Sequence, residues 1–129
     1  MREIKFRGKS VDTGEWIYGD LVHNALTAKT MSVPVAIKPD NCYPIEVIPE
    51  SVGQYINLYD DHKTEIYERD VAIMHSECSK DWKPKEIKWN EEHGMMMLGN
   101  TLVIMSKMEA AEMTVIGNAC DNSELVNEK

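Results

Sequence analysis

Little in this sequence points to chemistry. Its seven glycines include no phosphate-cradling loop of Walker or Rossmann form. No serine sits in a nucleophile elbow. The one closely spaced ligand pair, His75 and Cys78 in His75-Ser76-Glu77-Cys78, has no second pair to complete a zinc site, although His62 and His93 flank it. It reads as a polar loop carrying a free thiol. Cys42, Cys78 and Cys120 are odd in number and widely spaced, which opposes a secreted disulfide framework and fits reduced thiols in a cytoplasm. The aliphatic and methionine runs Met95–Leu98 and Leu102–Met105 fall far short of the roughly 20 residues a membrane helix needs. The first ten residues alternate charged and apolar, so the apolar stretch of an export signal is missing too. The expectation is a cytoplasmic protein with no membrane partner. Positive charge is also short: Lys+Arg 14 against Asp+Glu 22 leaves a net charge of −8, which excludes a phosphate grip spread over the whole surface.

What is present is an ordinary globular balance, 43% hydrophobic and 28% charged over 129 residues. A chain of this length buries roughly two-thirds of its unfolded surface, enough for a core without staples. Ile4-Lys5-Phe6-Arg7 alternates apolar and basic, the period-two signature of a half-buried strand. Asp12-Thr13-Gly14 supplies a hairpin turn, and Trp16–Val22 is the aromatic and β-branched return strand. Residues 24–31 carry no clear signal. Ser32–Ile37 reads as a strand whose Pro34, lacking an N–H, favours an edge. Pro39, Pro44 and Pro49 punctuate the next stretch around a short strand at Ile45–Ile48, and mark the seam between two lobes. Beyond it, strands are expected at Gln54–Tyr59, Ile66–Tyr67, Val71–Met74, Ile87–Trp89, Leu102–Met105 and Thr114–Ile116, with one or two helical turns at Ser106–Glu112. The many methionines after Gly94 read as adaptable core filling on short strands.

The acidic run Asp60, Asp61, Glu65, Glu68 and Asp70 is the densest set of oxygen ligands, but it matches no EF-hand spacing and contains Lys63 and Arg69. A turn with local salt bridges accounts for it. No cofactor or metal is expected, and no catalytic residue.

Three blocks together resemble the YopX family of phage and prophage proteins. The first is the opening Met1–Arg7. The second is Ser51-Val52-Gly53-Gln54-Tyr55, continuing through Leu58, Asp60, Ile66-Tyr67-Glu68 and Asp70-Val71; it is similar to the family's T-V-G-Q-Y-T-G-L-x-D-K-N-G-x-x-I-Y-E-G-D-I-V. The third is Val115-Ile116-Gly117-Asn118 followed by Ser123-Glu124-Leu125. The departures fall on glycines: Asn57, Lys63 and Arg69 stand where the family has Gly. Asn is the side chain that best tolerates a left-handed backbone. At Arg69 such a backbone would be strained, so a locally different turn is expected there.

The resemblance implies a mainly-β fold, a small barrel or roll with at most two short helices. An N-terminal β lobe covers 1–48 and a lobe like an SH3-type barrel covers 49–129. It carries no activity to transfer, and the motif residues Gly53, Gln54, Tyr55, Leu58, Asp60, Ile66, Tyr67, Glu68, Asp70, Gly117 and Asn118 fit structural roles. The expected function is a non-catalytic phage or prophage accessory protein that binds an unknown host or phage protein in the bacterial cytoplasm. The alternative is a nucleic-acid-associated or nucleic-acid-mimicking protein. Trp82, in the polar stretch 79–84, is one candidate contact residue, with folding back onto the barrel as the competing reading. Arg2, Lys5 and Arg7 form the other candidate surface. An opening hairpin is marginal alone, so self-association through residues 1–22 is also expected.

Overall fold

The computed structural model describes residues 2–29, 31–74, 84–92, 95–98, 110–122 and 124. Trp82, Cys78, the Leu102–Met105 strand and most of the Ser106–Glu112 helix lie outside the described residues. The chain divides into two compact units, Met1–Tyr55 and Ile56–Lys129.

In the first unit, β1 (Phe6–Lys9) and β2 (Trp16–Leu26) form the expected antiparallel hairpin, with Phe6 opposite Gly19 and Lys9 opposite Trp16. The turn is closed by Ser10 N–H to Glu15 carbonyl (2.8 Å) and Gly14 N–H to Ser10 carbonyl (3.0 Å), with Gly14 in the left-handed region at φ 74°. A side chain there would meet the clash that confines most L-residues to negative φ. Regular pairing starts two residues later than the alternation in Ile4–Arg7 indicates, and β2 runs on through the uninformative stretch to Leu26. β3 (Ser32–Lys38) pairs with β2 along its length, and β4 (Ile45–Glu46) pairs with β3 at Ala36 and Ile37. Pro34 thus lies in the half of β3 that the β4 pairing does not span. The strand order is β4-β3-β2-β1, extended by the start of β5 (Gly53–Tyr59), where Gly53 faces Arg7. Between β4 and β5 a single 3-10 turn, Pro49–Ser51, is tied down by buried Ser51. Its hydroxyl accepts from Lys9 N–H (2.7 Å) and donates to the Ile48 carbonyl (2.6 Å). Ala25, Val33 and Ala36 form this unit's small core cluster.

In the second unit the remainder of β5 pairs with β6 (Glu65–Tyr67). β7 (Asp70–Met74), β8 (Lys85–Asn90), β9 (Met95–Leu98) and β10 (Met113–Asn118) form an antiparallel sheet in the order β10-β7-β8-β9. The core is Ile66, Ala72, Ile87, Leu98, Ala110 and Met113, with Ile56, Leu58, Met74 and Val115 packed against it. Met97 and Met113 are buried, as the core reading of the methionines requires. The protein is mainly β, and the described sheets are open rather than closed into a barrel.

Candidate functional site

Most of the motif residues are consumed by the fold itself. Asp60 directly follows β5 and is 5% exposed. Its Oδ1 accepts the backbone N–H groups of His62 and Thr64 (both 2.9 Å), and its Oδ2 accepts Val115 N–H (2.9 Å). Burial pushes this carboxyl up, but the donors from Val115, Thr64 and His62, helped by the nearby imidazole, outweigh burial and hold it below its ordinary value. The next residue continues the clamp. Asp61 N–H donates to the Met113 carbonyl (2.9 Å), and its carboxylate accepts Thr114 Oγ1–H at 2.8 and 2.9 Å. The turn between β5 and β6 therefore covers part of the outer edge of β10, which would otherwise offer its amides and carbonyls to another chain. Asp60 and Asp61, the first two members of the acidic run, cap that edge.

Asp70, 2% exposed, accepts Tyr67 N–H on Oδ2 (2.8 Å), while Tyr67 O–H donates to Glu65 Oε1 (3.1 Å). Arg69, in the turn between β6 and β7, is in the left-handed region at φ 72°, with its N–H on the Ile87 carbonyl (2.6 Å) and its carbonyl accepting Ala119 N–H (2.7 Å). The locally different turn expected there is not what forms: the position keeps a left-handed backbone and carries Arg in it. Asn57 (φ 64°) and Lys63 (φ 62°) do the same, whereas His62 stays at negative φ. At Arg69 the long-range bonds to Ile87 and Ala119 hold this conformation, and at Lys63 a local turn bond from its N–H to the Asp60 carbonyl (3.0 Å) does so. Asn118 closes the turn after β10, accepting Asp121 N–H on its side-chain oxygen (2.8 Å) and donating its own N–H to Asn122 Oδ1 (3.2 Å). Gly117 beside it leaves no room for a Cβ, which would overlap the Asn122 side chain. Ile66 and Tyr67 are core, Gln54 and Glu68 half-buried. No His/Cys/Asp/Glu group among the described residues is arranged to hold a metal ion.

The basic opening strand is largely occupied. Lys5 Nζ stands 5.1 Å over the Tyr55 ring and 3.9 Å from Glu3. Arg7, 8% exposed, stacks 4.8 Å over Trp16, in the space that Gly53 leaves on the paired strand. Such contacts are worth about 0.5–2 kcal/mol each. Arg2 is the exposed member of the three.

A feature the sequence did not announce lies at the other end of β1. A cleft of about 320 Å³ opens among the β1–β2 turn, the β2–β3 turn and β4. Met31, Val33, Pro44 and Ile45 give it an apolar wall; Asp12, Lys29 and Glu46 give it charge. Lys29 Nζ holds Asp12 Oδ2 at 2.7 Å, and this bond, the Asp12 charge and the more distant Glu46 raise the Lys29 pKa against a small desolvation. Exposed apolar side chains lie in it or next in sequence to its lining residues. Met31 itself is 61% exposed, Tyr43 beside Pro44 is 69% exposed, and Val11, whose N–H donates to the Glu46 carbonyl, is half exposed. The lining comes from three separated stretches with no common periodicity, so no local pattern could have disclosed it.

The protein is mainly β, in two compact units, and its buried motif carboxylates Asp60 and Asp70 accept backbone amides. The chain belongs to the YopX protein family, whose model matches residues 5–127. Its fold is similar to the crystal structure of protein EF1440 from Enterococcus faecalis, with a TM-score of 0.60 at 15% identity, covering 98% of this chain and 100% of that one. No curated protein matches the sequence.

Proposed function

We propose that this is a non-catalytic, protein-binding accessory protein of a phage or prophage, acting in the bacterial cytoplasm, with the cleft of its first unit as the contact surface. The observation that carries the reading is the cleft's apolar surface: Met31 lines it and stays largely in water, and exposed Val11 and Tyr43 adjoin the lining residues Asp12 and Pro44 in sequence. Exposed apolar patches of this kind mark interaction sites, and Met and Tyr are enriched at the centres of interfaces. The non-catalytic part is supported by the state of the carboxylates, since Asp60 and Asp70 already accept backbone donors and are poorly placed to exchange protons with a substrate.

The test is a photo-crosslinking side chain placed at Met31 of the full chain in bacterial cells. A discrete crosslinked protein that disappears on Glu46→Lys is expected; an unchanged pattern would end the reading. The second reading, association with nucleic acid, draws on Lys5 and Arg7 alternating with Tyr55 and Trp16, the mixture that tracks single strands. The burial of Arg7 and the net charge of −8 count against it. Salt-titrated binding to single- and double-stranded DNA separates the two.

A further inference from the structure

We infer that the cleft of one molecule receives the segment Arg2–Lys5 of a second copy, so that the chain assembles with itself through its first unit. This rests on the cleft's being a contact surface and names its occupant.

The cleft specifies its complement. Its wall of Met31, Val33, Pro44 and Ile45 takes an aliphatic side chain, and Asp12 and Glu46 against Lys29 leave one net negative charge for a neighbouring cation. Where Val33 lines it, β3 lies beyond the reach of the β4 pairing, which covers Ala36 and Ile37. Among the described backbone bonds, contact with the β4 side reaches Val35, whose carbonyl accepts Val47 N–H (3.4 Å), and an extended segment can lie alongside Val33 beyond it. The wanted ligand is therefore an extended stretch with a basic residue two positions from an aliphatic one, both on the same side of the strand.

The chain carries such a stretch. Ile4 is 62% exposed, an expensive position for a β-branched side chain, and Arg2 on the same alternation is exposed as well. Both precede β1 and lie outside its regular pairing. Ile4 fills the apolar wall while Arg2 meets Glu46.

The contact is between molecules, because geometry forbids it within one. Lys5 is pinned by its carbonyl to Tyr55 N–H (2.8 Å), and Ser10 bridges Val47. The chain between them is extended, about 16 Å at about 3.3 Å per residue. The cleft lies past the Ser10 end, and Ile4 is held within about 4 Å of Lys5 at the opposite end. Each molecule thus offers one segment and one cleft at opposite ends of the same strand. Two molecules exchanging segments close a dimer; a one-way exchange propagates to a ring or a filament.

The experiment is light scattering on the full chain at tens of micromolar, with far-UV circular dichroism as the folding control. Wild type is expected above the monomer mass of 14.7 kDa. Ile4→Asp and Arg2→Glu, both at exposed positions, each weaken assembly about tenfold or more. Glu46→Arg does the same, and Arg2→Glu combined with Glu46→Arg restores assembly. A wild type that stays at 14.7 kDa overturns the inference, and so does an assembly indifferent to Ile4→Asp or not rescued by the charge exchange. A monomeric wild type that still crosslinks from Met31 to a foreign protein removes the second copy but leaves the cleft a contact surface; loss of both removes both.

Discussion

Replacing Arg69 by glycine should stabilise this protein, and replacing it by alanine should not. Arg69 is held at φ 72° by bonds at both of its backbone groups, from its N–H to Ile87 and from Ala119 to its carbonyl. An L-residue in that region carries about 1–2 kcal/mol of steric cost that glycine does not. Against this, glycine adds unfolded-state freedom worth about 0.4–1 kcal/mol. The ion pair from Arg69 Nε to Glu86 (3.6 Å) is also lost; half-exposed pairs of this kind contribute about 0–1 kcal/mol. The balance for Arg69→Gly is a gain of about 0.5 kcal/mol. Arg69→Ala keeps the strain and loses the pair, for a loss of about 0.5 kcal/mol. The difference between the two variants is the sharper quantity. At ordinary negative φ alanine is the more stable by about 0.5–1 kcal/mol; here glycine should lead by about 1 kcal/mol. Urea unfolding of the two variants beside wild type, with equal m-values as the check on two-state behaviour, measures it. An alanine variant as stable as the glycine one would refute the account of the turn.

Asp60→Asn retains one oxygen for His62 and Thr64 but sets an amide NH2 against Val115 N–H, and should cost about 2 kcal/mol in the same assay. Because folding lowers the Asp60 pKa, its contribution is complete above the ordinary value of 3.8 and is lost as pH falls through the folded value. The gap in urea midpoint between wild type and Asp60→Asn should therefore narrow between pH 7 and pH 3. A gap that widens on acidification would contradict the linkage. Ser51→Ala leaves Lys9 N–H without its acceptor and should cost about 1–2 kcal/mol, read as a lower thermal midpoint. Gly19→Ala drives a Cβ onto the Lys38 carbonyl at φ 155° and should cost about 2–3 kcal/mol; a neutral result would mean β2 and β3 are free to separate there.

The sequence by itself was enough for the mainly-β class, the family and most of the strands. Local signals carry these: period-two alternation in Ile4–Arg7 and Ile87–Trp89, the Gly14 turn, the β-branched and aromatic content of Trp16–Val22. It also indicated that the motif carboxylates serve the fold. Their partners were another matter. That Asp60 reaches Val115, and Asp61 reaches Thr114, depends on which loop the folded chain lays against which strand edge. No spacing records a contact between residues so far apart. The same holds for Arg69, where propensity argued for a different turn and bonds from Ile87 and Ala119 imposed a left-handed one. Arg7 looked like a surface charge until Gly53 and Trp16 gave it a place to fold into. The cleft was decided entirely at this level: Asp12, Lys29, Val33 and Glu46 sit on separate turns and strands, and only the pairing of β1, β2, β3 and β4 brings them to one concave surface.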